Sequence, residues 1–167
     1  MKKLFRFERF PILALLITIL MIGLFTLTNY GESWDELQFF KYANHALASY
    51  PTWLTSAQII ITGNTYDNYG PAFVMFTVLV ARGLNAIHPG WIISDLRHLV
   101  YFITFVAGIY AFYVLARRWM GLWASFAATL LLAAQPVLWG HAFISPKDIP
   151  FLSAFLISLV LGLRMAD

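Results

Sequence analysis

No charged residue occurs between Phe10 and Gly31, and nearly every position from Phe10 to Leu27 is apolar. A helix rises 1.5 Å per residue, so about 20 apolar residues cross a hydrocarbon core of about 30 Å. The stretch reads as a first membrane span over residues 10–28. Three later apolar runs have spanning length and predict helices over residues 98–116, 121–139 and 149–165. The apolar run that begins at Pro71 stops at Arg82 and is too short to cross. Runs of about 10–14 residues lie at an interface, re-enter or are buried.

Residues 29–97, between the first two spans, are the least hydrophobic part of the chain. Ser33 is followed three positions later by Glu36, the spacing of a capping box. Trp34, Leu37, Phe40 and Leu47 then recur near helical period, and Pro51 closes the segment. This pattern predicts an amphipathic helix over residues 34–49, lying on the membrane surface. A turn-rich stretch over residues 63–71 follows, with Tyr66 and Tyr69 where interfacial aromatics sit and Asp67 as a turn residue. Pro71 then opens a second interfacial helix over residues 71–87. Period-2 alternation and repeats are lacking. The fold class is all-α: a polytopic membrane protein with four transmembrane helices and two interfacial amphipathic helices in its first external loop. Residues 1–167 form one membrane-embedded domain.

Composition agrees. Of 167 residues, 60% are hydrophobic and only 11% charged, with a mean hydropathy of +0.73. A soluble domain carries about 25% charged residues. With no Cys, thiolate catalysis, Cys-based zinc sites and disulfides are excluded. The net charge of +3 does not point to nucleic acid, because the basic residues are placed by topology. Four crossings put Lys2, Lys3, Arg6, Arg9, Arg117, Arg118 and Arg164 on the cytoplasmic side, seven of the eleven Lys and Arg. Glu32, Asp35, Glu36, Asp67, Asp95 and Asp148 then lie outside. A rival topology, in which residues 71–88 also span, sends Arg117 and Arg118 outside and loses this asymmetry. The first span lacks a small-residue cleavage site, reading Leu27-Thr28-Asn29-Tyr30, and is read as uncleaved.

The preferred topology gathers Asp35, Glu36, Arg97, Lys147 and Asp148 at one membrane face. Asp35, beside Trp34 at a helix start, suits a carboxylate that takes a proton from a hydroxyl or amine. Glu36 reads equally as a capping-box partner or as a helper. Arg97 lies on the side where basic residues are scarce, so it either reaches for headgroups or binds an anion or carboxylate. Asp148 is a helix N-cap or part of the same site. His45, His88 and His98 form no metal-ligand spacing.

The order of these motifs resembles a known family. A first span is followed by an external Trp-Asp-Glu at a helix start. Then come a Leu-Arg-His entry into a span ending Ala-Arg-Arg-Trp-Met-Gly, and a Pro-Lys-Asp after the next span. This is similar to polytopic glycosyltransferases of the GT-C fold, specifically the protein O-mannosyltransferase and lipid A aminoarabinose transferase group. The resemblance implies an enzyme that moves a sugar from a polyprenyl-phosphate carrier to a protein, lipid or glycan acceptor, with inversion, at the external face. It implies Asp35 and Glu36 as the catalytic acidic pair, and Arg97, Lys147 and Asp148 as substrate-binding residues. The donor is the lipid-linked sugar, with a divalent metal as an open option and no metal ligands assigned. Membrane lipids are partners; nucleic acid is not. The setting is a bacterial or archaeal plasma membrane with the N-terminus cytoplasmic. Where the aminoarabinose branch carries Glu-Lys-Pro, this chain has Tyr69-Gly70-Pro71. Family members carry many more spans, so the resemblance makes this chain an N-terminal part. The rival functions are a transporter or channel fragment and a non-catalytic assembly subunit.

Overall fold

A computed structural model describes residues 10–57 and 69–167. Lys2, Lys3, Arg6, Arg9, Tyr66 and Asp67 lie outside the described residues. Every regular element described is helical. Helix α1 runs Phe10–Thr26 and continues through a 3₁₀ turn, Leu27–Asn29. Then come α2 (Glu36–Ser56), α3 (Ala72–Ile87), α4 (Ile93–Ala116), α5 (Leu122–Ala133), α6 (Pro136–Ile144) and α7 (Asp148–Ala166).

Among the described residues three segments are long and apolar enough to cross a bilayer: Phe10–Asn29, Ile93–Ala116 and Asp148–Ala166. A fourth crossing exists if α5 and α6 together form one bent span. Of α4's apolar window 56% is buried inside the protein, against 17% for Phe10–Asn29 and 22% for α7. Helix α4 is therefore the hub, and α1, α3, α5, α6 and α7 all pack on it. Phe25, Phe151 and Leu131 stay exposed on the outer helices. Helices apolar on their outer faces as well as their inner ones belong in lipid, and this is a membrane protein.

Close approach of the helices depends on two glycines. A Cβ on Gly23 would sit 2.0 Å from the Phe102 ring, and one on Gly108 2.4 Å from Ser153 Oγ. Small residues at such crossings let lipid-embedded helices gain van der Waals contact. Phe143 stacks on Phe102 at 4.7 Å and on Tyr30 at 4.2 Å, tying α4, α6 and the end of α1 together. The Arg118 guanidinium meets Asp167 through two 2.6 Å hydrogen bonds, joining the C-terminal ends of α4 and α7. At the opposite end lie the end of α1, the starts of α2, α4 and α7, and the end of α6.

Several boundaries differ from the sequence reading. The run over residues 121–139 is not one helix: α5 and α6 meet at 61°. Gln135 precedes Pro136 and takes extended angles (φ −66°, ψ 116°), the region favoured for a residue whose neighbour's ring crowds the helical one. Helix α4 begins at Ile93, not at residue 98, so Asp95, Arg97 and His98 belong to its first turns. Helix α2 begins at Glu36 and runs through Pro51 to Ser56. Pro51 forfeits one backbone donor, and the hydroxyls of Ser49, Thr52, Thr55 and Ser56 turn back onto carbonyls of the same helix. The buried face of α2 is Glu36, Phe39, Tyr42 and Ala43, seated on Val74 and Val78 of α3. Trp34, expected on the apolar stripe, precedes the helix and is 93% exposed.

Candidate functional site

The site is built at the start of α2. The Glu36 carboxylate reaches back to accept the Ser33 N–H at 3.0 Å, half of the expected capping box. The other half is missing, because Ser33 Oγ donates instead to the Ile144 carbonyl at 2.8 Å. That bond fastens the entry to α2 onto the last residue of α6. Both Glu36 carboxylate oxygens also lie 3.1 Å from His98 Nε2, and neither side chain is solvent-exposed. The contact is a hydrogen bond between the imidazole and the carboxyl group. His98 Nδ1 is buried and has no hydrogen-bond partner among the described residues.

One residue earlier on α4, Arg97 pairs with Glu32 through Nη2. Its side chain is 5% exposed and that of Glu32 45%. The guanidinium lies 4.7 Å from the centre of the Phe40 ring, and its Nε is buried with no hydrogen-bond partner among the described residues. Arg97 is thus held between a carboxylate and an aromatic face.

The third pair closes the site from α7. Lys147 Nζ lies 3.0 Å from Asp35 Oδ2, with each side chain 36% exposed. The same ammonium sits 5.6 Å from the ring centres of both Phe39 and Tyr69. The Asp35 hydrogen bond raises the Lys147 pKa above the ordinary lysine value. Partial burial opposes it, and the charges of Asp35, Tyr69 and Asp148 reinforce it. Asp148 opens α7. Its N–H donates to Ser145 Oγ at 3.1 Å, and that hydroxyl donates to Asp148 Oδ2 at 3.0 Å. His141 Nδ1 stands 4.0 Å from the same carboxylate oxygen.

Asp35, Lys147, Asp148, His141, Ser145 and Trp34 line an open cleft of about 240 Å³. It offers two carboxylates, an ammonium and a hydroxyl side by side, next to a largely exposed indole. Of the five residues singled out in the sequence, Asp35, Lys147 and Asp148 line this cleft. Arg97 and Glu36 do not. Arg97 is nearly enclosed, and Glu36 is fully enclosed among His98 and the Ser33 backbone, where it holds α2 against α4. Glu32 and His98 were missed as partners. The signal available was that His98 sits beside Arg97 at the head of an apolar run, where an ionisable side chain needs a partner as much as Arg97 does. Among the described residues no three His, Asp or Glu side chains are grouped to hold a metal ion.

No family model, curated protein or solved structure matches the chain.

Proposed function

We propose that the chain is part of an integral membrane glycosyltransferase that moves a sugar from a polyprenyl-phosphate carrier to an acceptor in the Asp35–Lys147 cleft. The observation that carries this reading is the contact of Asp35 with Lys147, 112 positions apart, in the wall of an open cleft at one end of an apolar bundle. A base and a cation for a leaving phosphate thereby stand within one substrate's reach. Its support from the sequence is the resemblance to the GT-C group.

In this reading an acceptor hydroxyl or amine attacks the anomeric carbon and the bond from that carbon to the phosphate oxygen breaks. The phosphate departs with the electron pair, and the acceptor's proton passes to Asp35. General-base assistance of this kind contributes about 10²–10⁴-fold. Lys147 neutralises charge that grows on the phosphate. Asp148 and Ser145 orient the polar face of the sugar. Glu36 acts through the fold, holding the start of α2. The interfacial placement of α2 and α3 belongs to the same reading, with the carrier's tail in hydrocarbon and its phosphate at headgroup depth. So does an external site, since Arg117, Arg118 and Arg164 lie at the other end of the bundle.

The test uses membranes carrying the full-length protein and a radiolabelled polyprenyl-phosphate sugar. Carrier-dependent transfer of label to acceptor, lost in Asp35→Asn with the protein still inserted, supports the reading. Full transfer in that variant overturns the role of Asp35. Label that crosses the membrane without changing chemical form points to a transporter.

A further inference from the structure

The basic side chains around α2–α4 fall into two groups. Arg97, His98 and Lys147 face carboxylates. Lys41, His45 and Arg82 form no ion pair among the described residues. Lys41, Asn44, His45 and Ala48 follow one another at helical spacing on one face of α2, and they line a second cleft, of about 300 Å³. Arg82 reaches the same place from α3, its Nη2 donating to Asn44 Oδ1 at 2.7 Å. The Asn44 Nδ2 in turn donates to the Phe40 carbonyl at 2.8 Å, which fixes the amide with its oxygen toward Arg82. A guanidinium steadied by a neutral amide keeps its full charge and its remaining donors.

Among the described residues no acid pairs with this face. Helix α3 contains no acid, and the one acid of α2, Glu36, is fully buried. The same two helices carry exposed apolar side chains: Leu79 and Phe76 on α3 are each 54% exposed, and Leu37, one turn before Lys41, is 48% exposed. Arg82 interrupts the apolar run of α3, which is otherwise hard to explain on a surface meant only for hydrocarbon.

We infer that the cleft between α2 and α3 seats the phosphate of an anionic membrane phospholipid. Lys41, His45 and Arg82 surround the phosphate, and the acyl chains run along Leu37, Phe76 and Leu79. Basic pockets between helices take lipid headgroups by charge, and the exposed apolar side chains of the same helices favour a lipid over a free anion. The site is separate from the Asp35 cleft and does not rest on the transfer reaction.

The experiment is native mass spectrometry of the full-length protein, delipidated in detergent and titrated with dioleoylphosphatidylglycerol or dioleoylphosphatidylcholine. The expected result is retention of phosphatidylglycerol over phosphatidylcholine, weakened about tenfold or more in the K41Q/H45Q/R82Q variant. Asn44→Leu, which keeps every charge but frees Arg82, weakens it less. Helical circular dichroism stays unchanged in both variants. Equal retention of the two lipids, or undiminished phosphatidylglycerol binding by the triple variant, overturns the inference. Displacement of the lipid by millimolar inorganic phosphate overturns it too, since the cleft would then be a site for a free anion.

Discussion

His98 Nε2 stands 3.1 Å from both carboxylate oxygens of Glu36, and neither side chain is exposed to solvent. This contact joins α2 to the hub helix across 62 positions of sequence. Removing one partner of a buried pair strands the other, at a cost of about 3–5 kcal/mol. His98→Ala and Glu36→Ala should therefore each lower the melting temperature in detergent markedly. The paired change Glu36→Leu with His98→Leu should cost less than the sum of Glu36→Leu and His98→Leu made singly, because neither member of the pair is then stranded and only the Ser33 N–H loses its acceptor. A double variant as unstable as the sum of the singles would show that the two residues act separately.

Asp35 and Lys147 make the opposite case. Each side chain is 36% exposed, so water screens the pair, and its net worth to stability is at most about 1 kcal/mol. Asp35→Asn and Lys147→Gln should leave the melting temperature nearly unchanged, while sugar transfer falls about a hundredfold or more in Asp35→Asn. The folded-state pKa of Lys147 is raised from 10.5, chiefly by the Asp35 bond. The pair's small stabilisation is therefore complete below the ordinary lysine value and is lost as pH rises through the raised one. Thermal melts from neutral to strongly alkaline pH should show this loss in the native protein and not in Asp35→Asn.

Gly108 sits where α4 and α7 touch, and a Cβ there would meet Ser153 Oγ at 2.4 Å and Ser153 Cβ at 2.9 Å. Overpacking of this kind costs about 1–3 kcal/mol, so Gly108→Ala should destabilise and Gly108→Leu should do so more. Ser153→Gly deletes both of the nearest atoms and should restore part of the loss in Gly108→Ala. Detergent melting curves of the four proteins would settle the pairing. Without recovery in the double variant, the approach of α4 to α7 at this point would be refuted.

The elements legible in the sequence are those specified by uninterrupted hydrophobic length. Residues 10–28 and 149–165 closely match Phe10–Asn29 and Asp148–Ala166. Where an apolar run contains a backbone constraint, length misleads: Gln135-Pro136 divides one expected span in two. Charge misleads in the other direction. Asp95 and Arg97 fall in the expected loop and His98 at its border, yet α4 runs through all three, because Glu32 and Glu36 satisfy Arg97 and His98 from a distant part of the chain. Such pairing over more than 60 positions leaves no local pattern. Ser33 and Glu36 were recognisable as a capping motif, but no spacing rule could reveal that the Ser33 hydroxyl would leave the motif for Ile144.

Arg97 and Glu32 give the last prediction. The guanidinium is 5% exposed and its carboxylate partner 45%, so the two ends of this pair differ in what water can replace. Glu32→Gln leaves a neutral acceptor beside a nearly enclosed cation, with some solvent nearby, and should destabilise moderately. Arg97→Met removes the charge and keeps the stem against Phe40, leaving Glu32 to be hydrated at the surface. It should therefore cost less stability than Glu32→Gln, although it deletes the cation and not merely its partner. Arg97→Lys keeps the charge but loses the planar group that lies over Phe40 while donating to Glu32, and should fall between them. Melting temperatures of the three variants test this order. If Arg97→Met were the least stable, the guanidinium would be a net stabiliser in its own right, and its near burial would need a partner beyond Glu32.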